Sequence, residues 1–187
     1  RLKPSEITPV TVDNHLVRTT YGNRLLLSSI KLSAVETMAS VPQLEIVLQQ
    51  LTTLAQFIFL DIGNSSLPGL DMILKLCNEV FVVTEGQPIA IQRTKQLITD
   101  LGNYGFGKSK LLSLAVINRV RSDIQLNAVQ VQESLGIPLT IVIPPAPEQS
   151  FQAASRNVPM TLLQQDGLAS QQFLRLVEQV STRLVKE

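Results

Sequence analysis

Eight residues, Gly102-Asn-Tyr-Gly-Phe-Gly-Lys-Ser109, carry the spacing G-x-x-x-x-G-K-[ST]. In a loop that follows a strand and opens a helix, this spacing lets backbone N–H groups and a helix N-terminus converge on phosphates while the lysine closes over them. The flanking sequence predicts the reverse context. From Gln87 to Leu101, Ile91, Leu97, Ile98 and Leu101 recur at helical spacing, and a new apolar run begins at Leu111. The eight residues therefore read as an α-to-β connection, in which Gly102 ends a helix and Gly105 and Gly107 supply turns. Ligands of open α/β sheets sit at the other end, beyond the carboxyl ends of the strands. Gly102, Gly107, Lys108 and Ser109 are accordingly expected not to hold a nucleotide.

The β-to-α loops offer different chemistry. Asp61 closes the apolar run Phe57-Ile-Phe-Leu-Asp61. An aspartate there could reach Mg²⁺ or its water shell, as in a Walker B element, or simply accept from nearby backbone N–H groups. Asn118 ends Leu111 to Asn118, where its amide could read an adenine edge or cap the turn. Pro144, Pro145 and Pro147 stiffen the loop after Pro138 to Ile143, and Glu148 starts a helix. The only histidine, His15, has no evident catalytic partner. Gly63-Asn-Ser-Ser-Leu67 fails the nucleophile-elbow pattern because Leu67 replaces its second glycine. No Cys/His cluster shows metal-ligand spacing.

Positioning these loops requires alternating elements. Arg24–Ser29, Phe57–Asp61, Glu79–Thr84, Leu111–Asn118 and Pro138–Ile143 each read as a strand covered on both faces. Helical spacing follows Ser40, the expected N-cap, through Leu44, Val47, Leu48, Leu51 and Leu54. It recurs from Gln87 to Leu101, from a cap at Ser122 or Asp123 through Ile124, Val129 and Leu135 to Gly136, and from Ala169 to Lys186. The order predicts an α/β fold: an open, mainly parallel sheet with helices on both faces. Residues 1–187 read as a single domain with an irregular lead-in over 1–20.

Composition narrows the function. Hydrophobic residues are 44% and charged residues 17% of the 187, which describes a folded domain. The net charge of +1 argues against a polyanion partner, so no nucleic acid is expected. One cysteine, Cys77, rules out an internal disulfide framework and fits a reducing compartment. It reads as a small buried hydrophobe. No apolar run approaches the ~20 residues of a membrane span. In the last helix Arg175, Arg183 and Lys186 alternate with Glu178 and Glu187, which favours packing on the sheet and leaves at most a peripheral membrane association.

With its loops in order, the chain resembles the MinD/ParA group of P-loop ATPases, and within it the branch of the pilus-assembly proteins CpaE and TadZ. The resemblance rests on "LVRTTYGNRLLLSS", "FIFLDIGNSSLPGLDMILKLCNEVFVVTEGQPIAIQRTKQLI", "LAVINRV", "LGIPLTIVIPPAPEQSFQAASRNVPM" and the final amphipathic helix. It implies the Walker B position for Asp61, with indirect contact to Mg²⁺. It implies nucleotide contacts from the Asn118-Arg119 pair, the asparagine meeting adenine, and a base pocket lined by Pro144 and its neighbours. ATP and Mg²⁺ are the implied cofactors. A homodimer or an assembly-machinery protein is the implied partner, in a cytoplasmic protein recruited to the membrane or cell pole.

The family's own K-G-G-x-G-K-[ST] loop and its acidic switch region do not occur in these residues. Two expectations follow. Either the chain is the distal part of a spatial-organiser or pilus-assembly ATPase whose P-loop lies within about 100 residues upstream of Arg1, or it is a non-hydrolytic localisation module on the same scaffold. On either reading the 187 residues alone are expected to be inactive. The loss of the P-loop strand is further expected to leave Phe57–Asp61 with an open apolar edge.

Overall fold

The computed structural model describes residues 3–27, 41–63, 69–118 and 125–184. They fall into two compact units, Arg1–Cys77 and Asn78–Glu187.

The first unit is mostly helical. The expected irregular lead-in holds a 3-10 turn at Pro4–Glu6 and a helix, α1, at Pro9–Asn14. Thr8 caps α1 by accepting the Thr11 N–H at 3.2 Å, and Pro9 suits the first turn. A short antiparallel hairpin follows, β1 (Val17–Arg18) against β2 (Arg24–Leu25). Arg24 ties it down: its guanidinium meets Asp13 of α1 at 3.0 Å and donates to the Leu54 carbonyl at the end of α2 (Val41–Leu54). Helix α3 (Leu70–Leu76) starts behind Gly69, whose φ of 80° suits glycine.

The second unit holds a parallel sheet in the order β3-β4-β5, formed by Glu79–Thr84, Leu111–Ile117 and Ile141–Ile143. The register aligns Val83 with Ala115 and Ala115 with Ile141. Strand β4 is central, and Ser113 through Val116 are buried on both faces. One face packs on α4 (Pro88–Gly102), where the Thr94 hydroxyl donates to the buried Thr84 hydroxyl at 2.8 Å. Helix α4 in turn packs on α5 (Ala128–Leu135). The other face buries Ala115, Ile141 and Ile143 against Ala169 and Leu176 of α8 (Leu168–Leu184). Helices α6 (Pro147–Arg156) and α7 (Met160–Leu163) lead into α8.

Several sequence expectations need correction. Phe57–Asp61 forms no strand; among the described residues it has no ladder partner, and Phe59 is 82% exposed. Apolar character cannot make a strand unless another backbone takes up the N–H and C=O groups. The Arg24–Ser29 strand is confined to Arg24–Leu25, with 28 and 29 outside the described residues. Strand β5 begins at Ile141, because Thr140 uses its own hydroxyl to accept the Leu114 N–H at 3.0 Å. Helix α5 begins at Ala128: Asn127 and Gln130 form a reciprocal capping box, both bonds 3.0 Å. The expected caps Ser122 and Asp123, and Ser40, lie outside the described residues. Cys77 follows α3 and is half-buried. Among the described residues no helix is long and apolar enough to cross a membrane.

Candidate functional site

The carboxyl ends of the three parallel strands converge on a short row of residues. Strand β4 ends at Ile117 and is followed by Asn118; β5 ends at Ile143 and is followed by Pro144 and Pro145. The Asn118 N–H donates to the Ile143 carbonyl at 3.0 Å, which holds Asn118 beside the start of the proline loop. Asn118 is half-buried, and among the described residues its carboxamide has no hydrogen-bond partner, so it keeps a donor and an acceptor to offer. The prolines bring no N–H to this edge, only rings and carbonyls. Arg119 lies outside the described residues.

At the end of β3, Thr84 is buried and spent on Thr94. The next turn is held by the Leu126 N–H, which donates to the Gly86 carbonyl at 2.8 Å. A Cβ at Gly86 would lie 2.6 Å from the Leu126 carbonyl oxygen, so only glycine permits this approach. Gly86 belongs to no motif in the sequence. The close approach joins residues forty positions apart and leaves no local mark.

Asp61 belongs to the first unit. Its carboxylate is exposed and Oδ1 accepts the N–H of Gly63 at 3.0 Å, the local turn that such a residue forms with the backbone two positions on. Among the described residues no group of three or more His, Cys, Asp or Glu side chains is placed to hold a metal ion. His15 is exposed, with Nδ1 2.7 Å from the Thr11 carbonyl oxygen. A cavity of about 260 Å³ also lies in this unit, lined by Pro9, Val10, Asp13, Asn14, Arg24 and Leu54. It contains none of the residues expected to bind a nucleotide.

The glycine-rich loop sits where its context placed it, between α4 and the start of β4. Its amides point inward. Asn103 N–H donates to Asp100, Tyr104 and Phe106 to Leu101, Gly105 to Gly102, and Gly107 to Lys110. Lys108, Ser109 and Lys110 all donate to the single carbonyl of Gly105, at 3.1, 3.0 and 3.0 Å. Every backbone donor from Asn103 to Lys110 thus has a partner within the loop or in the last turn of α4. Phe106 is buried beneath it, with the Lys110 ammonium 5.1 Å from its ring centre. The Ser109 hydroxyl also turns back to donate to the Gly105 carbonyl at 3.5 Å, which leaves the exposed Lys108 side chain as a point charge rather than part of a cradle.

No protein-family model matches the chain, and no curated protein matches it by sequence. Solved structures do match its fold. The cell division ATPase MinD of Pyrococcus furiosus superposes with a TM-score of 0.79 at 17% identity, covering 97% of this chain and 76% of that one. The septum site-determining protein MinD of Pyrococcus horikoshii OT3, in complex with Mg-ADP, gives 0.77 at 17% identity, covering 96% and 73%. A ParA family ATPase from Chlorobium tepidum TLS gives 0.77 at 14% identity, covering 92% and 68%. Parallel strands, flanking helices and these superpositions agree: the chain has the α/β fold of the MinD/ParA-type P-loop NTPases.

Proposed function

We propose that residues 1–187 are the distal part of a MinD/ParA-like spatial-organiser or pilus-assembly ATPase domain, of the CpaE/TadZ kind, whose P-loop lies outside these residues. The observation that carries this reading is the row at the strand carboxyl ends. Asn118, with its unspent amide, stands beside Pro144 in a fold superposable on MinD over nearly the whole chain. In this role Asn118 contacts adenine, Arg119 contributes to the same nucleotide, and Pro144 lines the base pocket. Asp61 reaches Mg²⁺ through water. Gly102, Gly107, Lys108 and Ser109 take no part, because a triphosphate needs converging free amides and theirs are consumed. The Mg-ADP bound in the Pyrococcus horikoshii MinD supports ATP and Mg²⁺ as the cofactors. A homodimer or an assembly-machinery protein is the partner, recruited to the membrane or cell pole.

A second reading, a localisation module without hydrolysis, draws on the local bond between Asp61 and Gly63, which turns one oxygen of that carboxylate back on its own loop.

The test is a titration of the chain with a fluorescent ATP analogue and Mg²⁺, alongside Lys108→Ala. The chain alone is expected to show no saturable binding in the micromolar range, and the substitution to change nothing. Micromolar binding abolished by Lys108→Ala would return the glycine loop to the site and sink the proposal. Light scattering of the full native polypeptide separates the two readings: ATP-dependent association supports the ATPase, and its absence supports the localisation module.

A further inference from the structure

The loop between β5 and α6 is three residues long, Pro144, Pro145 and Ala146, and Pro147 follows as the first residue of α6. Proline has no N–H, so of these four residues only Ala146 can donate a backbone hydrogen bond. The glycine loop before β4 ties itself down with its own amides; this loop has a single donor for the purpose. Its place is set from its two ends. At the entrance the Asn118 N–H holds the Ile143 carbonyl at 3.0 Å. At the exit Ser150 donates to the Ala146 carbonyl through its N–H, at 2.9 Å, and its hydroxyl, at 2.8 Å, so the loop ends wherever α6 lies.

Helix α6 itself has little to hold it. Of its ten residues eight are exposed. The inward face is Ala153, buried, and Gln149, half-buried one turn before it. Ala153 offers only a methyl group, which leaves Gln149 as the one long side chain on that face. Its Nε2 donates to Gln164 Oε1 at 2.6 Å. Gln164 is fixed in turn. Its carbonyl accepts the Gly167 N–H at 3.2 Å and the Ser170 hydroxyl at 2.6 Å, and Ser170, in the first turn of α8, is 1% exposed. A Cβ at Gly167 would stand 3.2 Å from Gln149 Nε2 and 3.2 Å from the Gln164 carbonyl oxygen, so the pair lies close against the backbone there. As a source of stability the pair is poor. Among the described residues Gln149 Oε1 is buried without a hydrogen-bond partner, and an unpaired buried acceptor costs at least as much as the bond beside it contributes. A leucine would fill the space without that cost. What it would lose is the direction that the hydrogen bond sets.

We infer that Gln149 is the positioning residue of the proline loop. Its bond to Gln164 holds the first turn of α6 to the start of α8 and thereby sets the distance between Pro144 and the Asn118 carboxamide. The ligand served is the base of a nucleotide, and the inference rests on the reading of this row as a base pocket.

The test is isothermal titration of the full native polypeptide with Mg-ATP and with magnesium tripolyphosphate, which has the phosphates but no base. Gln149→Leu is expected to weaken Mg-ATP binding about tenfold, the effect of one oriented hydrogen bond, and to leave tripolyphosphate binding unchanged. Gln164→Leu should do the same, and the double variant no more than either alone, because both cut one bond. Gln152→Leu, on the exposed face of the same helix, is the control and should change neither ligand. An ATP affinity unchanged by Gln149→Leu, an equal loss for both ligands, or losses that multiply in the double variant overturns the inference. The functional reading fails separately: a native polypeptide that binds no Mg-ATP sinks the base pocket. The positioning of the loop is then decided by the Asn118 side-chain amide signal in the NMR spectrum of that polypeptide. Gln149→Leu should shift it and Gln152→Leu should not, and a signal that stays in place overturns the inference as well.

Discussion

The two ends of β4 make an instructive pair. At its amino end lies a loop with every letter of a phosphate-binding motif and no free backbone donor. At its carboxyl end lies a single asparagine whose amide has no partner among the described residues, with a proline loop beside it. Binding capacity follows the direction and availability of N–H and C=O groups, which depend on the element before and after a loop. The same glycines that let a backbone wrap a phosphate also let it wrap one of its own carbonyls, here that of Gly105.

Four substitutions sharpen this contrast. The largest effect is expected where both ends share a foundation. Leu114 is fully buried at the middle of β4, and Leu114→Ala should cost about 2–5 kcal/mol, read as a lower urea midpoint of the second unit. An unchanged midpoint would mean that β4 does not anchor the two loops. Next comes the carboxyl-end turn: Gly86→Ala forces a Cβ against the Leu126 carbonyl oxygen and should cost about 1–3 kcal/mol. Hydrogen exchange should show the Leu126 amide losing protection while the Gly107 amide keeps it.

Gly105→Ala makes the matching test at the amino end. Its φ is 89°, and a Cβ there would stand 2.7 Å from Ser109 Oγ, a side chain able to turn away. A loss of about 1 kcal/mol is expected from the backbone conformation, with faster exchange at Lys108 and Ser109. If the loss exceeds that of Gly86→Ala, the amino-end loop is the more rigid of the two. Smallest of all is Lys108→Ala. The side chain is exposed, so the stability read from thermal unfolding should stay within about 0.5 kcal/mol of the parent. A large destabilisation would show that the lysine has a structural partner.

Some of this was legible in the residues alone. The run Glu79–Thr84, the helix that stops at Gly102 and the strand from Leu111 all declare themselves locally, because hydrophobic period and helix-ending glycine act over a few neighbours. That context was enough to orient the glycine loop. Phe57–Asp61 misled for the complementary reason: it has the composition of a buried strand, and composition says nothing about whether a partner is there. Helix α1 was missed because six residues carry too little periodicity, although Thr8 and Pro9 are its start signal.

The amino-acid sequence by itself determined the class of fold, the order of its central elements and the side of the sheet on which each loop falls. Those are consequences of short-range pattern and of chain direction. Only the tertiary structure decided which donors are spent, that Asn118 stands beside the proline loop and that Gly86 admits no side chain. Hydrogen bonds and burial join residues distant in the chain, and one partner's sequence does not reveal the other.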